Sequence, residues 1–304
     1  MKKLWIVLIL ALGILVSAVG LTACDMGGGS NIDENPQELN FYLKDDGTYG
    51  VAVCKASQLS QIEIPATYKG RAVTSIDYGA FVNYRKLTSI YYTGTASEWA
   101  QIDGLSNLMV SEMTLYIGNE PVTEVMLEDI TEIKPYAFRG CSSLTSITIP
   151  DSVTSIGNGA FSGCSGLKNV TIGNSVTSIG YEVFYKCSSL TSVTIGGSVT
   201  TIGYCAFSGC SGLTSVTIGN SVTSIRDNAF SYCSNLTSVT IGNSVTSIGR
   251  GAFSSCNALT KVTFKNPNGW KAGSASISSS SLSNTSNAAT YLKSTYYNYL
   301  WTRK

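Results

Sequence analysis

The chain has 304 residues, of which 43% are apolar and 13% charged, and its formal net charge is +1. That length and apolar share can bury a sizeable core, whereas the near-neutral balance gives no bulk attraction to nucleic acid or to an anionic membrane. Histidine is absent, which excludes Ser/His/Asp and Cys/His nucleophile activation and every His-based metal site.

At the N-terminus, Lys2 and Lys3 precede an apolar run from Leu4 to Val19, and Leu21-Thr22-Ala23-Cys24 follows. A charged start, an apolar stretch and small residues make the layout of an export signal. The run is short for a spanning helix, so an ordinary N-terminal membrane anchor is the weaker alternative. Small residues leading into Cys24 resemble the lipobox of bacterial lipoproteins. The resemblance implies a signal peptide over 1–23 and a diacylated thiol at Cys24 as the first mature residue. Two acyl chains hold a membrane where one is marginal. Residues 24–38, with several Gly, Asn and acidic residues, read as a flexible tether.

Residues 39–120 read as an N-terminal cap followed by divergent repeats. Phe41-Tyr42-Leu43 and Tyr49-Gly50-Val51 flank Asp45-Asp46-Gly47, a hairpin signal that would cover an open sheet edge. Ile62, Ile64, Val73, Ile76, Ala80, Phe81 and Leu87 outline a first coil, with a few extra residues near Ala66 to Gly70. Tyr91-Tyr92 through Trp99 and on to Ser111 reads as a loop or short helix bulging from one rung, before Val125, Leu127, Ile130 and Ile133 resume the pattern. Insertions in repeat proteins commonly carry binding, which makes Tyr91, Tyr92 and Trp99 candidate contact residues; a merely tolerated excursion is the bland alternative.

Over 121–264 the sequence repeats. Phe138, Phe161, Phe184, Phe207, Phe230 and Phe253 recur every 23 residues, and so do Cys141, Cys164, Cys187, Cys210, Cys233 and Cys256. A Leu ladder from Leu144 to Leu259 keeps the same interval, which Phe81 to Phe138, at 57 residues, does not. Within one copy, Leu213-Thr214-Ser215-Val216-Thr217-Ile218 alternates as a short strand with Val and Ile inward and Thr217 outward. Gly219-Asn220 turns the chain, Val222 and Ile225 return to the core, and Ala229-Phe230 with Cys233 closes the coil. One such coil cannot bury enough surface to offset its chain entropy, so copies must stack.

Residues 265–304 begin as a Ser-rich segment and end in Tyr296-Tyr297-Asn298-Tyr299-Leu300-Trp301. Ala289, Leu292, Tyr296 and Tyr299 suit one helical face and predict a capping helix; aromatic contacts with sugars are the alternative use of this tail.

The pairing of a leucine-rich strand with Ala-Phe, a Cys three residues later and a Leu after another three resembles the BspA-like bacterial leucine-rich repeat, from about Glu63 to Phe264. The expected fold is therefore a leucine-rich-repeat solenoid, β-rich, with parallel strands in 23-residue rungs, an N-terminal β-hairpin cap and a C-terminal helical cap. The resemblance also implies an exported surface protein engaged in adhesion and protein-protein contact.

The remaining chemistry is sparse. Cys205 and Cys210 tempt a metal reading, but Cys210 belongs to the ladder and Cys205 stands where other copies have Gly159, Glu182, Asn228 and Gly251. The six ladder cysteines are expected as buried free thiols near turn carbonyls, with disulfides between neighbouring rungs as the alternative. Glu128-Asp129 offers no second carboxyl across a cleft, so no catalytic pair is expected, and no cofactor. What remains is the outward row Thr148, Thr171, Thr194, Thr217, Thr240 and Thr263, flanked by Ser192, Ser215 and Ser238, and a second row running from Thr154 to Thr246. Thr suits exposed strands in any case. Read functionally, the first row is a weakly charged docking face for a protein or glycan, with a spacer role in the envelope as the competing account.

Overall fold

A computed structural model describes residues 33–34, 39–52, 59–81, 84, 86–108 and 112–304. The expected signal peptide, Cys24 and most of the expected tether lie outside the described residues. Asp33 and Glu34 pair antiparallel with Phe41 and Asn40, so the end of that tether joins the N-terminal sheet.

The regular copies form a β-solenoid whose rungs have three sides. On the first side, Ser146–Ile149 buries Ile147 and Ile149 and exposes Thr148, and Asn169–Ile172 alternates the same way, because successive side chains of a strand point to opposite faces. Neighbouring strands within each sheet pair in parallel one rung on, Ile147 opposite Val170 and Thr148 opposite Thr171. The second side is a parallel row of two-residue strands, Ser178–Ile179, Thr201–Ile202, Ser224–Ile225 and Ser247–Ile248.

The third side is a turn that uses two left-handed residues per rung. Glu182, Cys205 and Asn228 have φ of 54°, 53° and 57°, and Lys186, Tyr232 and Ser255 have 56°, 58° and 58°. Other copies place Gly at these points, as at Gly159 and Gly163, where the missing Cβ removes the cost of that conformation. The turns are bonded rung to rung: Phe161 N–H donates to Val183 O at 2.9 Å and Phe207 N–H to Ala229 O at 2.8 Å. Between them the six Phe rings stack with centroids 5.1 to 5.4 Å apart and planes within 15°.

The first side is interrupted once. Strands up to Ser192–Thr194 form one sheet and Ser215–Thr217, Ser238–Ile241 and Lys261–Phe264 form another, while the second row runs past this point unbroken. Val193 and Ile195 are only half-buried, whereas Val216 and Ile218 are fully buried. A Cβ placed on Gly242 would lie 2.3 Å from Gly219 O, but one on Gly219 would meet nothing within 4 Å. The rungs have moved apart there.

Upstream the rungs loosen in a defined way. The hairpin Asn40–Leu43 with Tyr49–Ala52 is antiparallel as expected, its turn held by Asp46, whose Oδ1 accepts from Thr48 N–H and Thr48 Oγ1 at 2.9 and 2.6 Å. Its second strand adds in parallel to Arg71–Ile76. Gln61–Ile64, Ser89–Tyr92 and Thr114–Ile117 form a parallel row of their own. Tyr91 and Tyr92 therefore sit in a rung strand and not in the expected excursion. Gly118 and Asn119, with φ of 61° and 69°, turn Thr114–Ile117 back onto Glu120–Pro121, as a tight hairpin turn requires.

The excursion itself is a short helix, Ala96–Ala100, started by a capping box in which Thr95 and Glu98 satisfy each other's backbone N–H groups. Its end takes the place of a second-side strand: Asp103 N–H donates to Thr74 O and Lys134 N–H to Ala100 O, both at 2.9 Å.

At the C-terminus the expected capping helix is present but shorter and broken. Ser279–Ser283, Thr285–Thr290 and a wider turn over Tyr291–Thr295 bury Leu282, Ala288, Ala289 and Leu292. Tyr296 follows the helical part and Tyr299 is 51% exposed, which corrects their expected place on its inner face. The chain instead returns as Trp301–Arg303, antiparallel to Ser247–Ile248 and to Trp270–Ala272, and so covers the edge that the last rung leaves open.

Candidate recognition surfaces

The two Thr rows differ in what their hydroxyls do. In the second row four of the five hydroxyls, all but that of Thr177, are spent on stacking: Thr154 Oγ1 donates to Thr131 O at 3.1 Å, Thr200 to Thr177 O at 3.0 Å, Thr223 to Thr200 O at 3.2 Å and Thr246 to Thr223 O at 3.3 Å. In the first row Thr148, Thr171 and Thr194 stand in register, are exposed, and make no hydrogen bond through their hydroxyls to any described residue. Thr217, Thr240 and Thr263 continue the row beyond the parted seam, with Thr240 and Thr263 half-buried.

Of the three aromatic candidates near the excursion, two are core residues. Trp99 is fully buried, and its indole N–H donates to Ala137 O at 2.6 Å. Tyr92 lies against it, ring centroids 5.2 Å apart, and burial pushes its phenol well above the ordinary range. Neither can touch a partner of the folded chain, because the helix turns its apolar side inward to fill the rung. Tyr91 is half-buried and stacks on Tyr116 at 4.3 Å. It remains accessible at one edge.

The ladder cysteines are buried and free. Each thiol from the second onward donates to the Phe carbonyl of the preceding rung: Cys164 to Phe138 O at 3.0 Å, Cys187 to Phe161 O at 3.2 Å and Cys210 to Phe184 O at 3.1 Å. Burial pushes Cys187 up to about 12 and holds Cys141, Cys164 and Cys210 above the usual thiol range, so these groups are inert thiols at neutral pH. Cys205 is half-buried.

A cavity of about 320 Å³ lies beside the helix, floored by Val73, Tyr92 and Ile102 with Glu98, Glu128 and Asp129 among its lining residues. Two further clefts, of about 220 and 460 Å³, meet at Arg250 and Leu300 near the C-terminal cap. Tyr204 and Arg226 line the smaller of them. Neither residue stands out by local pattern in the sequence. Arg226 departs from the repeat, standing where four of the other five copies have Gly157, Gly180, Gly203 and Gly249 and the first has Lys134.

Stacked parallel rungs, an inward Leu, Phe and Cys ladder in each, and capped ends define the chain as a leucine-rich-repeat solenoid. The family model for the BspA type leucine rich repeat region matches it in six copies, over residues 116–236 and 177–299. More than half of the chain is covered, and the protein belongs to that family.

Among solved structures, the chain is similar to a leucine-rich repeat protein from Bacteroides ovatus, with 25% identity over 76% of this chain and 71% of that one and a TM-score of 0.43. It is also similar to a leucine rich cell surface protein from Faecalibacterium prausnitzii, with 22% identity over 79% and 96% of the two chains and a TM-score of 0.35. A leucine rich repeat protein of T. pallidum is similar at 20% identity, 75% and 91% coverage and a TM-score of 0.42. No curated protein matches the sequence. Among the described residues, no helix is long and apolar enough to cross a membrane.

Proposed function

We propose that the chain is a non-enzymatic bacterial surface lipoprotein, anchored through Cys24, whose solenoid binds a partner protein in cell adhesion. The observation that supports this reading is the division of labour between the Thr rows. One row spends most of its hydroxyls on holding rungs together, and the other offers in-register, exposed and unused hydroxyls across Thr148, Thr171 and Thr194. A flat, weakly charged array of this kind binds through many modest contacts whose hydrogen bonds replace those to water.

The test displays the full chain on cells and measures their retention on layers of host or neighbouring cells. Cells carrying Thr148→Lys, Thr171→Lys and Thr194→Lys together should lose most of the retention that the parent gives, with an unchanged melting temperature, because the hydroxyls hold nothing inside the fold. Equal retention by the variant would favour a spacer role. For the anchor, Cys24→Ala should move the protein from the membrane to the soluble fraction and abolish incorporation of labelled fatty acid; a variant that stays on the membrane rules the lipid anchor out.

A further inference from the structure

The strict repeat acts as an internal control, since a residue that departs from it at a position the stack constrains has a local reason. Position for position, Gly157, Gly180, Gly203 and Gly249 follow the second strand of their rungs; the first copy has Lys134 there, ion-paired with Asp103 and Glu132, and Arg226 takes that place in the fifth. A Cβ on Gly203 would lie 2.5 Å from Gly180 O, and one on Gly249 2.3 Å from Asp227 N. A side chain here works against close stacking, and Arg226 is nonetheless present and exposed.

The next position along the rung reads Asn158, Tyr181, Tyr204, Asp227 and Arg250. Asn158 and Asp227 use a side-chain oxygen to accept from the backbone N–H one rung on, at 3.2 and 2.8 Å. Tyr181 and Tyr204 cannot do so, and they stand 44% and 49% exposed on neighbouring rungs. Beyond them come Arg226 and Arg250, and then Leu300 of the C-terminal cap, which closes the cleft shared with Tyr204. The salt bridges among the described residues join only Lys44 and Lys134 to carboxylates, so both guanidinium groups are unpaired. The carboxylates on this side are Asp227, already accepting from Arg250 N–H, and Glu182, whose charge beside Tyr181 helps to raise that phenol above its ordinary range.

We infer that this side of the solenoid binds a carboxylated glycan laid along the stacking axis, with pyranose rings over Tyr181 and Tyr204 and carboxylates on Arg226 and Arg250. Exposed phenol faces suit the C–H faces of sugar rings. Unpaired guanidinium forks suit carboxylates, which they hold with two parallel hydrogen bonds. The spacing separates a glycan from an acidic peptide. Rungs recur at 5.1 to 5.4 Å along the Phe ladder, close to the advance of one pyranose along a chain. Same-face side chains of an extended peptide recur at about 6.6 to 6.8 Å, which drifts out of step within a few rungs. This site is distinct from the Thr face, and the two readings stand or fall separately.

Titration calorimetry on the full chain tests the proposal. The probes are hexagalacturonate, a hyaluronan hexasaccharide and sialyllactose, with carboxyl-reduced hexagalacturonate and hexaglutamate as comparators. At least one carboxylated glycan should bind about tenfold more tightly than either comparator. Arg226→Gly and Tyr204→Asn, which install residues the repeat itself uses at those positions, should each weaken it about tenfold or more with an unchanged melting temperature. Arg226→Lys, which keeps the charge and loses the fork, should fall between. Binding of hexaglutamate as tight as that of the glycans, affinity unmoved by Arg226→Gly and Tyr204→Asn, or no binding of any carboxylated probe would each overturn the proposal.

Discussion

The turn side and the first strand side are made by the same rungs, yet one is continuous and the other parts between Val193 and Val216. The turn side is held by groups that every regular copy carries: a stacked ring, a turn bonded to the next turn, and a thiol reaching back to a Phe carbonyl. The strand side depends on bonds between neighbouring strands and on one position beside them that varies from copy to copy. The difference teaches that a repeat stack is continuous where its side-chain ladder has no missing member. It is soft where one copy drops out.

The largest expected effect concerns the thiols of the turn side. Burial raises Cys141, Cys164, Cys187 and Cys210 in the folded chain, Cys187 to about 12, while an unfolded thiol loses its proton near pH 8.5. A folded value above the unfolded one means that stability is complete below about pH 8.5 and falls as pH rises, by up to about 1.4 kcal/mol per pH unit for each thiol. Urea melts at pH 7, 9 and 10 should lose several kcal/mol across the series. The double variant Cys187→Ala and Cys210→Ala should show a shallower pH slope than the parent. An equal slope would place the alkaline loss elsewhere.

The second test compares the sides directly. Phe207→Ala removes a ring sandwiched between Phe184 and Phe230 at 5.2 and 5.1 Å and should cost about 3 to 5 kcal/mol, as truncations of buried aromatic residues do. Val193→Ala, at the half-buried edge of the seam, should cost about 1 kcal/mol or less, because its outer atoms already meet water. Denaturant midpoints with unchanged slopes decide it; similar losses for the two variants would mean that the strand side is closed in solution.

The period made the turn side legible from sequence, because Phe, Cys and Leu at one fixed interval leave a single way to stack. The aromatic residues of the divergent region were read as exposed for a physical reason. Trp99 and Tyr92 interrupt a known period, and an interruption looks the same whether its side chains fill the core or leave it. A short helix was one of the two forms expected there, but which way that helix faces depends on the rung beneath. The strand Trp301–Arg303 answers a free edge on the last rung, which no local pattern of Tyr and Trp encodes. Tyr204 and Arg226 were readable, but only by asking how each copy differs from the next.

The smallest effect addresses the seam. Alongside the strands runs the position Asp151, Asn174, Gly197, Asn220, Asn243. Asp151 Oδ1 accepts from Asn174 N–H at 2.6 Å, Asn174 Oδ1 from Gly197 N–H at 2.9 Å and Asn220 Oδ1 from Asn243 N–H at 3.2 Å. Gly197 has no side chain to offer Asn220, and the strands part at that same step. A Cβ on Gly197 would meet nothing nearer than Asn174 Oδ1 at 3.5 Å, an ordinary contact, and its φ is not left-handed. Gly197→Asn therefore fits without strain. It supplies the missing acceptor, worth about 0.5 to 1.5 kcal/mol, and it narrows the unfolded ensemble, worth about 0.4 to 1 kcal/mol. Hydrogen exchange should slow at the amides of Asn220 and of residues 214–218, and the denaturation midpoint should rise. Gly197→Ala separates the causes: it keeps the chain-entropy gain and lacks the acceptor, so it should stabilise without slowing exchange at Asn220. If Ala closes the seam as well as Asn does, the missing side-chain oxygen is not what opens it.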